Sequence, residues 1–127
     1  MNRVVLDASA IIAAIAGEPG SQKVLEQLPH AAVSTVNLSE VQSKLIERGF
    51  PPEDAWESAL SFTNEVFDFD SRQAKLAGML IQASRPYGLS FGDRACLALA
   101  SVLGAPVYTT DRIWAKLDVN LKIHILR

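Results

Sequence analysis

The chain has 127 residues, 49% of them hydrophobic and 20% charged, with seven glycines and six prolines. That composition fits one globular domain spanning residues 1–127 and excludes disordered, collagen-like and low-complexity architectures. Twelve Lys and Arg against fourteen Asp and Glu leave a net charge of −2, which offers no general attraction to nucleic acid.

Apolar periodicity reads as alternating strands and helices. Residues 3–6 form a β-branched run that stops at Asp7, and residues 8–16 follow as a small-residue helix closed by Gly17. A second helix is expected over 21–28, a buried strand over 31–36, and an amphipathic helix over 37–48 with Leu38, Val41, Leu45 and Ile46 on one face. Pro51 and Pro52 followed by Glu53 and Asp54 suit the first turn of a further helix to about Phe62, so two helices form a hairpin. Then come a strand over 65–69, a helix over 70–84, a loop over 85–88 and an apolar helix over 91–103. The chain closes with a strand over 107–109, a short helix over 114–117 and a last strand over 122–125. This order predicts an α/β fold whose central parallel sheet carries helices on both faces, a three-layer α/β/α sandwich.

Functional groups of open parallel sheets collect beyond the carboxyl ends of the strands. Four acids fall there: Asp7 after the first strand, Glu40 in the first turn after the second, Asp93 in the first turn of the helix from Phe91, and Asp111 after the strand at Tyr108. Each has a purely structural use. Asn37-x-x-Glu40 and Ser90-x-x-Asp93 have the form of capping boxes, and Asp111 suits a cap for the short helix behind it. Brought to one sheet edge, however, the four repel one another unless a cation lies among them. Oxygen donors without adjacent His or Cys suit Mg2+ or Mn2+ rather than zinc, and such an ion supports phosphodiester hydrolysis.

The blocks Val4-Val5-Leu6-Asp7-Ala8-Ser9-Ala10, Asn37-Leu38-Ser39-Glu40-Val41, Leu89-Ser90-Phe91-Gly92-Asp93-Arg94-Ala95-Cys96 and Val107-Tyr108-Thr109-Thr110-Asp111-Arg112 resemble, in order and spacing, the four motifs of PIN-domain ribonucleases of the VapC toxin type. The resemblance implies a PIN-like sandwich and a magnesium-dependent endoribonuclease. Asp7, Glu40, Asp93 and Asp111 would be its catalytic and metal-binding acids, with Ser9 and Thr109 as supporting hydroxyls. It also implies an RNA substrate, a cognate antitoxin and a homodimer. Removing four metal-neutralised acids leaves ten acids against twelve bases, so the remainder is mildly basic. Arg94 and Arg112, each beside a proposed ligand, are candidate RNA contacts, Tyr87 a candidate base-stacking residue, and Trp56 a candidate antitoxin contact.

Other tempting residues have simpler readings. Cys96 follows Asp93 on an apolar helix and is expected as a buried small hydrophobe. It is the lone cysteine, which excludes an intramolecular disulfide and agrees with a reducing cytoplasm. His30 and His124 show no ligand spacing, and Asp68 and Asp70 read as a solvated strand residue and a helix cap. No run reaches the roughly 18 apolar residues of a membrane span, and Asp7 interrupts the apolar start that would imitate a secretory leader. Two other functions fit an α/β chain of this length: a small phosphotransfer or phosphatase domain, and a non-catalytic PIN-like interaction module. A phosphatase of the haloacid kind wants Asp-x-Asp, where this chain has Asp7-Ala8-Ser9.

Overall fold

The computed structural model describes residues 2–127. Five short strands, β1 (Val4–Leu6), β2 (Ala31–Ser34), β3 (Glu65–Phe67), β4 (Val107–Thr109) and β5 (Ile123–Ile125), form one sheet in the order β3-β2-β1-β4-β5. Every neighbouring pair is parallel. Period-two alternation divides the apolar side chains between two layers. Val4, Leu6, Ala31 and Val33 join one buried cluster and Val5, Ala32 and Val107 the other.

The first layer is built from α1 (Ala8–Ala16), α2 (Ser21–Glu26), α3 (Thr35–Glu47) and α4 (Pro52–Ser61), which bury Ile11, Val24, Leu38, Val41, Leu45, Ala55 and Ala59. Trp56, Leu60 and Phe62 pack on this cluster half-buried. The second layer centres on α7 (Phe91–Leu103), whose Cys96, Leu97, Leu99 and Ala100 pack with Trp114. Small residues at Gly92, Ala95, Ala98 and Ala100 let α7 lie close to β1, β2, α3 and α5 (Ser71–Met79) at once.

Several boundaries differ from the sequence-based expectation, each for a local reason. The strand expected over 31–36 ends at Ser34, because the Ser34 hydroxyl accepts the Val36 N–H and starts α3 two residues early. Asn37 is therefore inside the helix, and the expected Asn37-x-x-Glu40 capping box does not form. The helix over 70–84 divides into α5 and α6 (Ile81–Ser84), with Leu80 between them at φ −70°, ψ −7°. The loop at 85–88 contains a 3-10 turn, Arg85–Tyr87, that closes on Gly88 at φ +68°. The short helix near Trp114 is likewise a 3-10 turn, Arg112–Lys116.

This topology positions the site. The chain moves from β1 outward through β2 to β3, then crosses back to place β4 and β5 on the other side of β1. The crevice at such a switch point, beyond the carboxyl ends of β1 and β4, is where open α/β sheets bind ligands. A receiver-type phosphotransfer domain has the order 2-1-3-4-5 instead, so the sheet removes that alternative.

Candidate active site at the switch point

Asp7, Glu40, Asp93 and Asp111 line one cavity of about 380 Å³ at this crevice, together with Ser9, Ser90 and Thr110. Asp7 leaves β1 in extended conformation and is 4% exposed. Its Oδ2 accepts hydrogen bonds from Ser9 Oγ at 2.7 Å and Thr109 Oγ1 at 3.0 Å. Both hydroxyls are aimed by the backbone, since Ser9 Oγ accepts the Thr110 N–H and Thr109 Oγ1 accepts the Asp111 N–H. Each hydroxyl accepts one of these bonds on a lone pair and points its single proton at Asp7.

Glu40 is held by a residue whose role the sequence did not show. Asn37, fully buried one turn earlier, donates through Nδ2 to Glu40 Oε1 at 2.7 Å and to the Gly92 carbonyl at 2.9 Å, tying α3 to α7. The Glu40 carboxylate fills the space where a Cβ on Gly92 would stand. The cradle depends on glycine at position 92.

Asp93 and Asp111 combine the capping roles expected of them with a place on the cavity wall. Asp93 Oδ2 accepts the Ser90 N–H at 2.9 Å while Ser90 Oγ accepts the Asp93 N–H at 3.2 Å, a complete capping box. Asp111 Oδ1 accepts the Ile113 N–H at 3.1 Å. A cap and a ligand position are compatible because a carboxylate has two oxygens and about four acceptor directions.

Electrostatics links the four. Burial pushes the Asp7 carboxyl up to about 6, opposed by the two hydroxyl hydrogen bonds and reinforced by Asp93 and Glu40. Glu40 is raised by burial and by Asp93, against the Asn37 hydrogen bond and Lys44. Asp93 is raised by burial and by Asp111, against its hydrogen bonds with Ser90. Among the described residues, none of the four joins an ion pair. They surround the cavity rather than converge on a point, and no three His, Cys, Asp or Glu side chains of the described residues form a ready-made metal cage. Magnesium keeps several waters and takes only one or two carboxylates, whereas a structural zinc site needs a closed donor set.

The other candidates lie elsewhere. Arg94 turns away from the cavity: its Nη1 donates to the Ala77 carbonyl at 2.8 Å and its guanidinium lies 5.7 Å from the Phe91 ring centroid, so it ties α7 to α5. The proposed RNA contact by Arg94 is not supported by this geometry. Arg112 is exposed, and its Nε donates to the Arg127 carbonyl at 2.7 Å outside the cavity lining. The cations that do line the cavity are Lys44, Arg48 and Arg127, and none was singled out from sequence. Glu40, Lys44 and Arg48 recur every four residues, a signal that was present. Tyr87 packs half-buried against the second core cluster. Cys96 is fully buried, and burial first, then Asp7, Asp93 and Glu40, hold its thiol well above the usual range. His30 and His124 are exposed and outside the cavity.

The sequence model of the PIN domain matches residues 4–120. The chain is 32% identical over 117 residues to Ribonuclease VapC42 of Mycobacterium tuberculosis, covering 82% of this chain and 87% of that protein. The chain belongs to the VapC ribonucleases of the PIN domain family. A VapC ribonuclease of Mycobacterium bovis matches over the same extent at the same identity. Solved structures share the PIN fold: DNA-bound VapBC from Salmonella typhimurium superposes with a TM-score of 0.77 at 20% identity, covering 100% of both chains. Mycobacterium tuberculosis VapC20, described as a sarcin-ricin loop cleaving toxin, gives 0.73 at 18% identity, covering 94% of this chain and 98% of that one. Family membership displaces the phosphotransfer and phosphatase alternatives.

Proposed function

We propose that this VapC ribonuclease hydrolyses RNA phosphodiester bonds in the switch-point cavity, using Asp7, Glu40, Asp93 and Asp111 with Mg2+ or Mn2+. The observation that carries the reading is the ring of four carboxylates without ion-pair partners among the described residues, three of them raised by burial and by one another. Such a ring is costly to keep ionised until a cation neutralises it. Asp7 and Asp93 are the principal ligand candidates, and Glu40 and Asp111 complete the site. Bound there, the ion would supply positive charge against the phosphate oxygens and make water a stronger nucleophile at neutral pH.

The protein's own part is positioning. Ser9 and Thr109 fix the Asp7 carboxylate, Asn37 fixes Glu40 over Gly92, and the Ser90 capping box fixes Asp93. Each acid reaches the cavity from a different segment, so substrate and ion meet a wall that is already set. Asp7, its carboxyl raised to about 6, or Glu40, raised by burial, is suited to take the proton of the attacking water.

We also infer a cognate antitoxin and a homodimer. The antitoxin reading rests on the family and on a solved neighbour described as a toxin-antitoxin complex from Klebsiella pneumoniae. Half-buried Trp56 on the α3–α4 hairpin remains a candidate contact. For the dimer, Met79 and Phe91, 65% and 51% exposed, supply apolar surface on the α5–α7 side. Light scattering measures the assembly.

Cleavage of a mixed RNA substrate tests the activity. Cleavage in Mg2+ or Mn2+, its loss in EDTA and its loss in Asp7→Asn are expected, with products bearing 5′-phosphates. Products with cyclic 2′,3′-phosphates, formed equally in EDTA, would replace this mechanism by internal attack.

A further inference from the structure

Glu40 and Lys44 are four residues apart on α3, the spacing at which a glutamate and a following lysine close an intrahelical ion pair. Here they do not: among the described residues the only ion pairs are Arg3 with Glu65 and Arg127 with Glu18. Asn37 Nδ2 holds Glu40 Oε1 at 2.7 Å, and the carboxylate lies over Gly92, so Glu40 belongs to the cavity floor, and Lys44 acts on Glu40 and Asp93 through its charge without closing an ion pair with either. Arg48, one further turn along, lines the same cavity and is equally without an ion pair among the described residues. Arg127, the other cation on that wall, is engaged by Glu18 at 3.1 Å.

Lys44 has a second property. A hollow of about 570 Å³ runs along the outer side of α3 and shares both Glu40 and Lys44 with the acidic cavity. Lys44 therefore borders both hollows; Ser39 and Ser43 continue the outer lining as hydroxyl groups, and Glu47 closes it with an acid. A polyanion entering the acidic cavity meets five carboxylates, of which only Glu18 is ion-paired, in a protein of net charge −2, so its attraction must come from local cations.

Resting on the ribonuclease reading above, we propose that Lys44 and Arg48 form a phosphate-binding rim. It holds the RNA backbone phosphates next to the scissile one at the edge of the acidic cavity. Asn37 is then a positioning residue twice over, since drawing Glu40 into the cavity also frees Lys44. Ammonium and guanidinium groups outside any ion pair suit non-bridging phosphate oxygens, and contacts of this kind fix the register of a strand without reading its bases.

The test is binding of a short fluorescein-labelled single-stranded oligoribonucleotide to the full chain. It is carried out in the non-cutting Asp7→Asn background, with KCl varied from about 50 to 200 mM. Losing two phosphate contacts should reduce the slope of log affinity against log salt by about 1.4, at about 0.7 per contact. Lys44→Gln combined with Arg48→Gln is expected to show that reduction, and Lys44→Arg with native Arg48 to keep the original slope. A methylphosphonate at the phosphate beside the cleaved one should weaken binding to the parent and leave the double variant unmoved. In the cutting protein the same double variant should raise KM far more than it lowers kcat. An unchanged salt slope, or equal weakening of parent and double variant by the methylphosphonate, overturns the rim while leaving the ribonuclease reading intact. If the wild type cuts no RNA with either metal, both readings fall together.

Discussion

The two ends of the sheet treat their carboxylates in opposite ways. At the amino end, Glu65 accepts from Arg3 Nε at 2.8 Å and from Nη2 at 3.2 Å, and this guanidinium holds the Glu65 carboxyl below its ordinary value. At the carboxyl end, Asp7, Glu40 and Asp93 are all raised, and their hydrogen-bond partners are hydroxyls, an amide and a backbone N–H, with Lys44 opposing the rise at Glu40 and Asp93 through its charge alone. A protein selected only for stability has no reason to gather acids that close no ion pair, whereas neutral donors fix geometry and leave charge available for a ligand. The contrast separates an ion pair that fastens a sheet edge from a site kept unsatisfied for use.

The largest effect expected at the carboxyl end follows Asp7→Asn. Activity should fall at least about 100-fold, since even partners one step behind a metal ligand cost 10- to 100-fold. Stability in EDTA should move the other way, with a sign fixed by the titration. The folded-state value of about 6 lies above the ordinary 3.8. Wild-type stability is therefore full below the lower value and declines as pH rises between the two. Asp7→Asn avoids that decline, so it should match wild type near pH 4 and exceed it by up to roughly 3 kcal/mol above pH 6. Thermal melting across pH measures this; a variant less stable at every pH would return Asp7 to an ordinary structural role.

Gly92→Ala separates geometry from charge. No acid is removed, but the new Cβ would collide with the Glu40 carboxylate, and displacement of a catalytic group by about 1 Å can cost on the order of 100-fold. Activity should fall while the melting temperature changes little, because alanine improves helix propensity by about 1 kcal/mol against the steric strain. Retained activity would mean that Glu40 works equally well from another position.

Asp93→Asn is the most balanced case. The amide can still accept from Ser90 N–H, but the charge at the helix N-terminus is lost, a loss of about 0.3–1 kcal/mol, while repulsion within the ring is relieved. The complete capping box makes the net change in EDTA small. Adding magnesium should then reveal the difference. Wild type gains about 2.7 kcal/mol at a concentration 100 times its Kd, and the variant gains much less. The smallest effect is expected at the other end of the sheet: Glu65→Gln should lower the melting temperature slightly, more at low salt than at high, and leave cleavage untouched.

How much of this was legible in the sequence varies with the range of the interactions involved. Asp7 stood out because a strand ending on an acid is a local pattern, and Ser90-x-x-Asp93 because both partners of a capping box are three residues apart. The sheet followed from alternating periods, although its order is not a local property. Asn37 was misassigned because Ser34, also a good N-cap residue, begins the helix first. Once inside α3, Asn37 could meet Gly92, 55 residues away, and no spacing rule anticipates that contact. Arg94 looked like a substrate contact because it neighbours Asp93, but adjacent helix residues project about 100° apart, and it reaches Ala77 instead. Lys44 and Arg48 are hard to single out because a lysine four residues after a glutamate ordinarily forms a surface pair.

The burial of Cys96 has a practical consequence. It is the lone thiol, closed off by packing and disfavoured as a thiolate, so a maleimide dye should find nothing to react with on the folded wild type. A cysteine introduced at exposed Ser43, beside Lys44 on the outer hollow, would then be the single reporter in the molecule. A fluorophore there should report an arriving RNA strand in real time, without first deleting a native residue from the core.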